Sequence, residues 1–512
     1  MNTFMNNMAN ATNYTFTENG AITHTSTRSK LLDMYALGGA YRKRSDEDCI
    51  LLFKNAFIEN PTYALKCLFY LRDIRGGQGE RRFFRVVIKW MANEYTQDIK
   101  RNLRYIPEFG RWDDLYEFVG TPLEADAFAF MKEQLALDVS CKTPSLLAKW
   151  LKSENASSVT SKRLGRITRS YFNMTAREYR KTLSILRTRI NVLEKLMSEN
   201  RWDEIEFDKI PSRAGMIYKN AFARHDLERA KNKEVQTYAD FAKDTTKKVN
   251  AKTLYPYECV SKAIELMYKR RGWGSTPVAL DNTDRLMINK YWDNLTDYFN
   301  NSTFNGIAVV DTSGSMTGNE ASAPINVAIS LGMYCAEHNS GPFANHYISF
   351  ASRPQMISTE GVDFCDKVTR IYRTNLIDNT NIEAVFDLML NVALDPSTEK
   401  KDIPQNVIII SDMEFDYAVN NYWSTTSRIN KGNVETLLEG IAKKWASYGL
   451  ALPHLIFWNV DARQNNIPML GNGRISFVSG FSPSIFETIM SGKTGYDLMM
   501  DKLDNERYAC IK

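Results

Sequence analysis

Asp311-Thr-Ser313-Gly-Ser315 places one carboxylate and two hydroxyls within five residues. These are hard oxygen donors, and on a tight loop they converge on a cation such as Mg²⁺, which accepts few protein ligands and keeps several waters. Serine and glycine also crowd plain turns, so the chemistry depends on what else reaches the loop. Asn379-Thr380-Asn381 opens an apolar-periodic stretch that runs to Leu394, placing the Thr380 hydroxyl at a helix start. There it serves as an N-cap or as a further donor. Ser411-Asp412-Met-Glu414-Phe-Asp416 follows the apolar run Val407 to Ile410 and puts a second carboxylate at a strand end. One metal ligand with two solvated acids is a better reading of this triplet than a carboxylate cluster for metal-assisted hydrolysis.

The elements that must position these groups read as alternating strands and helices. Gly306 to Asp311 is a buried strand, and a helix follows from about Ala323 to Glu337. His346 to Phe350, Val407 to Ser411, Leu455 to Val460 and Ile475 to Val478 are further strands, with a helix over 434–448 between two of them. Such alternation predicts an α/β doubly wound sheet over 301–491. Asp311 and Asp412 then fall at carboxyl ends of strands, where open α/β sheets bind ligands.

At these residues the chain resembles the von Willebrand factor A domain. The family's metal-ion-dependent adhesion site is built from Asp-x-Ser-x-Ser, a Thr on a second loop and an Asp on a third. By position, the resemblance implies Asp311, Ser313, Ser315, Thr380 and Asp412 as ligands of Mg²⁺ or another divalent cation, with one coordination position open to an acidic group of a partner. No glycine pair precedes Thr380, so Asn381 is an alternative donor there, and Met413 stands where a glycine often follows the third-loop Asp.

The chain has 512 residues, 44% of them hydrophobic and 24% charged, ordinary values for two or three globular domains. No apolar run approaches a membrane span, and no basic-then-apolar leader opens the sequence, so a soluble cytoplasmic protein is expected. Seven scattered cysteines without a C-x-x-C pair indicate neither a disulfide framework nor a zinc site. Residues 1–26, rich in Asn and Thr, are expected to form a flexible tail or docking arm.

From about 27 to 300 the helical signal dominates, broken at short intervals, as in an irregular helical-repeat array. Leu183, Leu186, Ile190, Leu193 and Met197 trace one apolar helical stripe. From Lys142 to Arg189 twelve Lys and Arg stand against two acids, Glu154 and Glu178, whereas the whole chain carries only +5. A patch of this density attracts phosphate backbones. Arg72-Asp-Ile-Arg-Gly-Gly-Gln-Gly-Glu-Arg81 is a second basic stretch with a glycine turn before a helix, but no buried strand precedes it as a nucleotide loop requires. Gly492-Lys493-Thr494 lacks the earlier glycine of a P-loop.

In this helical part, Leu71 to Arg81, Ile106-Pro-Glu-Phe-Gly-Arg-Trp-Asp-Asp-Leu115, Ala148-Lys-Trp150 and Ile210-Pro-Ser-Arg-Ala214 resemble, in order, the Ro (TROVE) ribonucleoprotein family. They are closer still to its uncharacterised relatives that join a Ro-like helical region to a von Willebrand A domain. The resemblance implies a HEAT-like ring or horseshoe of helices closed by the A domain; residues 492–512, with Tyr496, Leu498, Met499 and Leu503 apolar, are expected to form a C-terminal helix docking back. It also implies a non-catalytic protein that binds small structured or misfolded RNA. Lys162, Arg163, Arg166, Arg169, Arg177, Arg180 and Lys181 are the expected RNA-binding group, with Tyr171 and Phe172 as stacking candidates. A different class stays open: a metal-dependent scaffold that grips a partner protein's acidic side chain.

Overall fold

The computed structural model describes residues 12–268, 277–300, 302–318, 320, 322–350, 353–374, 381–416, 436–470 and 474–512. The chain divides into two compact units that are not consecutive in sequence: residues 1–67 with 252–505, and residues 68–251 with 506–512. The expected boundary near 300 is therefore displaced, because about 65 N-terminal residues and the helices after 252 share the core of the sheet.

The first unit holds a six-stranded sheet. Its strands are β3 (Gly306–Asp311), β4 (His346–Phe350), β5 (Gln355–Ser358), β6 (Asn406–Ser411), β7 (His454–Asn459) and β8 (Ile475–Ser479), in the order β5-β4-β3-β6-β7-β8. All neighbours are parallel except β4 and β5. This is the α/β doubly wound sheet expected from the sequence, and its strand order reverses between β3 and β6. β3 is buried along its whole length, as its continuous apolar run requires of a strand covered on both faces. The helix Pro324–His338 packs on β3 and is buried from Pro324 to Ala336. Gly332 permits that approach, since a Cβ there would collide with Val310.

Residues 14–24, which composition assigns to a tail, instead form a hairpin of β1 (Tyr14–Phe16) and β2 (Ile22–His24). Its turn uses Gly20 at φ +87°. The hairpin extends onto the sheet domain through bridges Gly20 to Asp416 and His24 to Ile467. Ser29 and Ser45 cap the next two helices, Lys30–Leu37 and Asp46–Glu59, by accepting from Leu32 N–H and Asp48 N–H. At the other end, Gly495–Leu503 is a helix with Leu498, Met499 and Leu503 buried, and the expected 492–512 segment divides, its residues to 505 in this unit and 506–512 in the other.

The second unit is helical. Its longer helices, numbered here from the first of this unit, are α1 (Arg82–Glu94), α2 (Glu124–Ser140), α3 (Val159–Phe172), α4 (Ala176–Arg189) and α5 (Ser212–Arg229). Phe69 meets Phe84 and Phe109 edge-on at 5.3 and 5.4 Å, and Phe109 stacks on Tyr508. The Arg72 guanidinium lies 2.7 Å from the Asp114 carboxylate, both fully buried. Asp73, equally buried, accepts from Tyr508 Oη at 3.0 Å and pairs with Arg507. The stripe expected as one helix through Met197 is broken. α4 ends at Arg189, Asn191 takes φ +49°, and a new short helix starts at Leu193. Leu193 still reaches the core because the left-handed residue re-aims the chain by one turn. Among the described residues no helix is long and apolar enough to cross a membrane.

Candidate metal site and basic face

The register of β3 on β6, with Val310 opposite Ile410, brings Asp311 and the pair Ser411-Asp412 to the same sheet end at the point of strand-order reversal. Asp311 is fully buried. Its Oδ1 accepts from Ser313 N–H at 2.9 Å and its Oδ2 from the Ser411 hydroxyl at 2.5 Å. The Ser313 and Ser315 hydroxyls stand 2.9 Å apart. Asp412, buried as well, accepts from Glu414 N–H at 3.1 Å and from the Arg463 guanidinium at 2.9 Å. Met413 sits at φ +65°, the region glycine favours, and donates its N–H to Ser411 Oγ at 2.9 Å. The third loop thus keeps a glycine-like conformation without the glycine, at a cost of about 1 kcal/mol or more.

Burial, and after it the neighbouring charge of Asp412, pushes the Asp311 carboxyl up to about 7. Burial also raises Asp412, against the opposing Arg463. Glu414 is pushed up to about 7 by burial, and its Oε1 has no hydrogen-bond partner among the described residues. Two buried carboxyls that disfavour joint ionisation, beside two convergent hydroxyls, suit a divalent cation. Asp311, Ser313, Ser315 and Asp412 are the residues that could hold it. Among the described residues no group of three or more His, Cys, Asp or Glu is gathered for a metal, so hydroxyls and water would complete such a shell. Thr380 lies outside the described residues. Asn381 spends its Oδ1 on the helix that it caps, accepting from Ala384 N–H at 3.0 Å.

Two residues near this site escaped the sequence reading. Arg463, four residues beyond the end of β7, bridges Asp412 and Glu18, 2.7 Å from the latter. Glu18 belongs to the β1–β2 turn, whose backbone N–H donates to Glu414 Oε2 at 2.7 Å, while Thr17 Oγ1 and Asn19 Nδ2 bond the Phe415 and Glu414 carbonyls. Glu18-Asn19-Gly20 between Tyr-Thr-Phe and Ile-Thr-His was the available signal for a hairpin.

On the helical unit, the expected RNA group divides. Lys162, Arg163 and Arg166 on α3, and Arg177, Arg180 and Lys181 on α4, make no ion pair or side-chain hydrogen bond among the described residues, and all but the partly buried Lys162 are exposed. Arg169 is different: it pairs with Glu154 at 2.7 Å and donates to the Met174 carbonyl. Arg187 likewise clamps the Ala148 and Leu151 carbonyls. Phe172 is core, whereas Tyr171 is exposed and stacks flat on Phe128 at 4.5 Å.

Residues 17–163 and 136–303 match the family described as Domain of unknown function (DUF2828), together more than half of the chain. The chain belongs to that family. Residues 305–508 match a second description, Domain of unknown function (DUF7788), over the sheet region. An uncharacterised protein, L728 of Acanthamoeba polyphaga mimivirus, is 28% identical to this DUF2828 member over 519 residues, covering 94% of this chain and 85% of that protein. Among solved structures, the Ro (RSR) protein of Deinococcus radiodurans is similar with a TM-score of 0.39 and 12% identity, covering 94% of this chain and all of that one.

Proposed function

We propose that the chain is a non-catalytic RNA-binding protein of the Ro ribonucleoprotein type, acting in the cytoplasm on small structured or misfolded RNA, with a Mg²⁺-dependent ligand site in its sheet domain. The observation that carries this reading is the set of six basic side chains on α3 and α4 with no acidic partner among the described residues. Structural cations are held in place, as Arg169 is by Glu154 and Arg187 by the Ala148 and Leu151 carbonyls. Unpaired ones on consecutive helices leave a positive surface that phosphates neutralise with release of counterions. Tyr171, exposed at the end of α3, offers a stacking face in the same region. Bound Mg²⁺ would supply an open coordination position for a carboxylate or phosphate. Asp311 and Asp412 would carry its charge, and Ser313 and Ser315 would orient it.

The test is sequencing of RNA that co-purifies with the intact protein, beside a variant with Arg163, Arg166, Arg177 and Arg180 changed to Gln. A discrete RNA recovered with the first and lost from the second supports the reading, and equal background RNA in both defeats it. In the recovered complex, the variant's binding should also depend less steeply on salt, the slope falling by about 3 for four lost phosphate contacts. A second reading, a metal-dependent protein-binding scaffold, is favoured by one observation: the rim of the site already receives an acidic side chain, Glu18 on Arg463.

A further inference from the structure

The glycine turn Gly76-Gly77-Gln78-Gly79 is not itself an anion cradle. The N–H groups of Gln78, Gly79 and Glu80 donate to the carbonyls of Tyr70, Asp73 and Leu71, and those of Arg82 and Phe83 to the Glu80 carboxylate. What the turn delivers is a side chain, Arg81, at the start of α1. The charges that act on it are Arg111, Arg85, Asp113 and Arg72, and through Asp113 and Arg85 the cluster extends to Lys152, Asp114 and Glu117. Asp114 is consumed by Arg72 and Arg85, each at 2.7 Å. Asp113 alone serves Arg85 at 3.1 Å, Arg111 at 2.9 Å and Lys152 at 3.7 Å. Glu117, 3.5 Å from Arg85, is raised by burial and so carries its charge less readily. Arg81 has no acidic partner among the described residues. Its side chain is only partly covered, and its basicity is lowered by that partial burial and then by the Arg111 and Arg85 charges, with Asp113 opposing them.

Five cations thus share three acids on a surface where the Arg85, Arg111 and Lys152 side chains are each about a quarter exposed. The acids do not neutralise this cluster. They orient it: Arg111 is pinned through Nε and one terminal nitrogen to Asp113, and its plane lies 4.0 Å over the Trp150 ring. A guanidinium fixed on one edge presents its remaining N–H groups outward in a set direction, the geometry that planar and tetrahedral oxyanions need. Three cations against one carboxylate act on Arg81, an excess of positive charge that an entering anion relieves.

We propose that Arg81, Arg85, Arg111 and Lys152, backed by Asp113 and Asp114 and bordered by Trp150, form a phosphate-binding notch. It takes the phosphodiester of a single-stranded RNA or a free phosphate group. The notch does not depend on the α3–α4 face.

Thermal unfolding of the full chain in sodium phosphate and in chloride of equal ionic strength tests the notch, with wild type, Arg81→Gln and Arg81→Lys compared. Phosphate should raise the wild-type midpoint by a few degrees beyond chloride. Arg81→Gln should weaken the apparent phosphate affinity about ten-fold, the loss of a charged hydrogen bond, and Arg81→Lys should keep part of it. In chloride, Arg81→Gln should unfold close to wild type, because the repulsion it loses from Arg111, Arg85 and Arg72 offsets the lost attraction of Asp113. A decamer of uridine displaced by phosphate would identify RNA as the source of the anion; a phosphate shift that the decamer leaves untouched would identify a free phosphate group. An equal shift in wild type and Arg81→Gln, no shift in either, or a markedly less stable Arg81→Gln in chloride overturns the proposal.

Discussion

Replacing Asp311 by Asn should stabilise the metal-free protein at neutral and alkaline pH. Asp311 is fully buried beside Asp412, and its carboxyl is pushed from 3.8 to about 7. The folded chain therefore binds this proton more tightly than the unfolded chain does. Stability is unaffected by the group below pH 3.8, falls as pH rises through the interval to about 7, and is lowered by the full amount above it. That interval corresponds to about 4 kcal/mol as a ceiling. Asn keeps an acceptor for Ser313 N–H but pairs less well with the Ser411 hydroxyl, which returns about 1–2 kcal/mol. A net gain of about 2 kcal/mol at pH 8 follows from these two terms. Urea unfolding of wild type and Asp311→Asn in EDTA at pH 5, 6.5 and 8 measures it, with the difference shrinking toward pH 5. Added Mg²⁺ should then reverse the order, since only the carboxylate can bind it strongly, and Mg²⁺ at a hundred times its Kd would stabilise wild type by about 3 kcal/mol. A variant less stable than wild type at pH 8 in EDTA, or a difference indifferent to both pH and Mg²⁺, would refute the reasoning.

Changing Arg463 to Gln leaves buried Asp412 without its cation, so unfolding in EDTA should come about 2–4 kcal/mol earlier; Mg²⁺ should recover most of that loss and bind more tightly than in wild type, read by calorimetric titration. His454, half-buried between Asn406 and Ser476, is pushed down to about 4 by burial. Its contribution has the opposite sign to that of Asp311: stability is lost as pH falls below the ordinary histidine value of 6.5 toward 4. His454→Gln should flatten the acid limb of the stability curve in that window, and an unchanged limb would assign the acid sensitivity elsewhere.

The strands that end in Asp311 and Ser411 were legible because a fully covered parallel strand must be apolar without interruption, a pattern that short-range reading detects. Asp311, Ser313, Ser315 and Asp412 followed from it, since adjacent strand ends bring their loops together. Arg463 and Glu18 did not follow. Arg463 reaches Asp412 across a strand crossover, and Glu18 bonds residues roughly 400 positions later, contacts with no local signature. For the same reason the Asn- and Thr-rich start reads as a tail: its hairpin is marginal alone and is held by the loops at 413–416 and 467. Tyr171 and Phe172 show a subtler limit. Consecutive helix positions point about 100° apart, so one of the two had to face the core, and only packing decides which. The break at Asn191 was hidden because a left-handed residue can resume the apolar phase after one turn.

The hairpin that backs the candidate metal site has a consequence in time. Thr17 waits for Phe415, 398 residues downstream. At roughly 5–20 residues per second of synthesis, that wait lasts about 20–80 s. Throughout it, the edges of β1 and β2 lack their partner loops, and the sheet unit cannot close around its own beginning. Residues 68–251 wait longer still for 506–512, since Asp73 meets Arg507 434 residues downstream. The Arg463–Glu18 contact cannot form until residue 463 has been made, and a chain stopped before residue 413 would present the hairpin to chaperones and proteases instead.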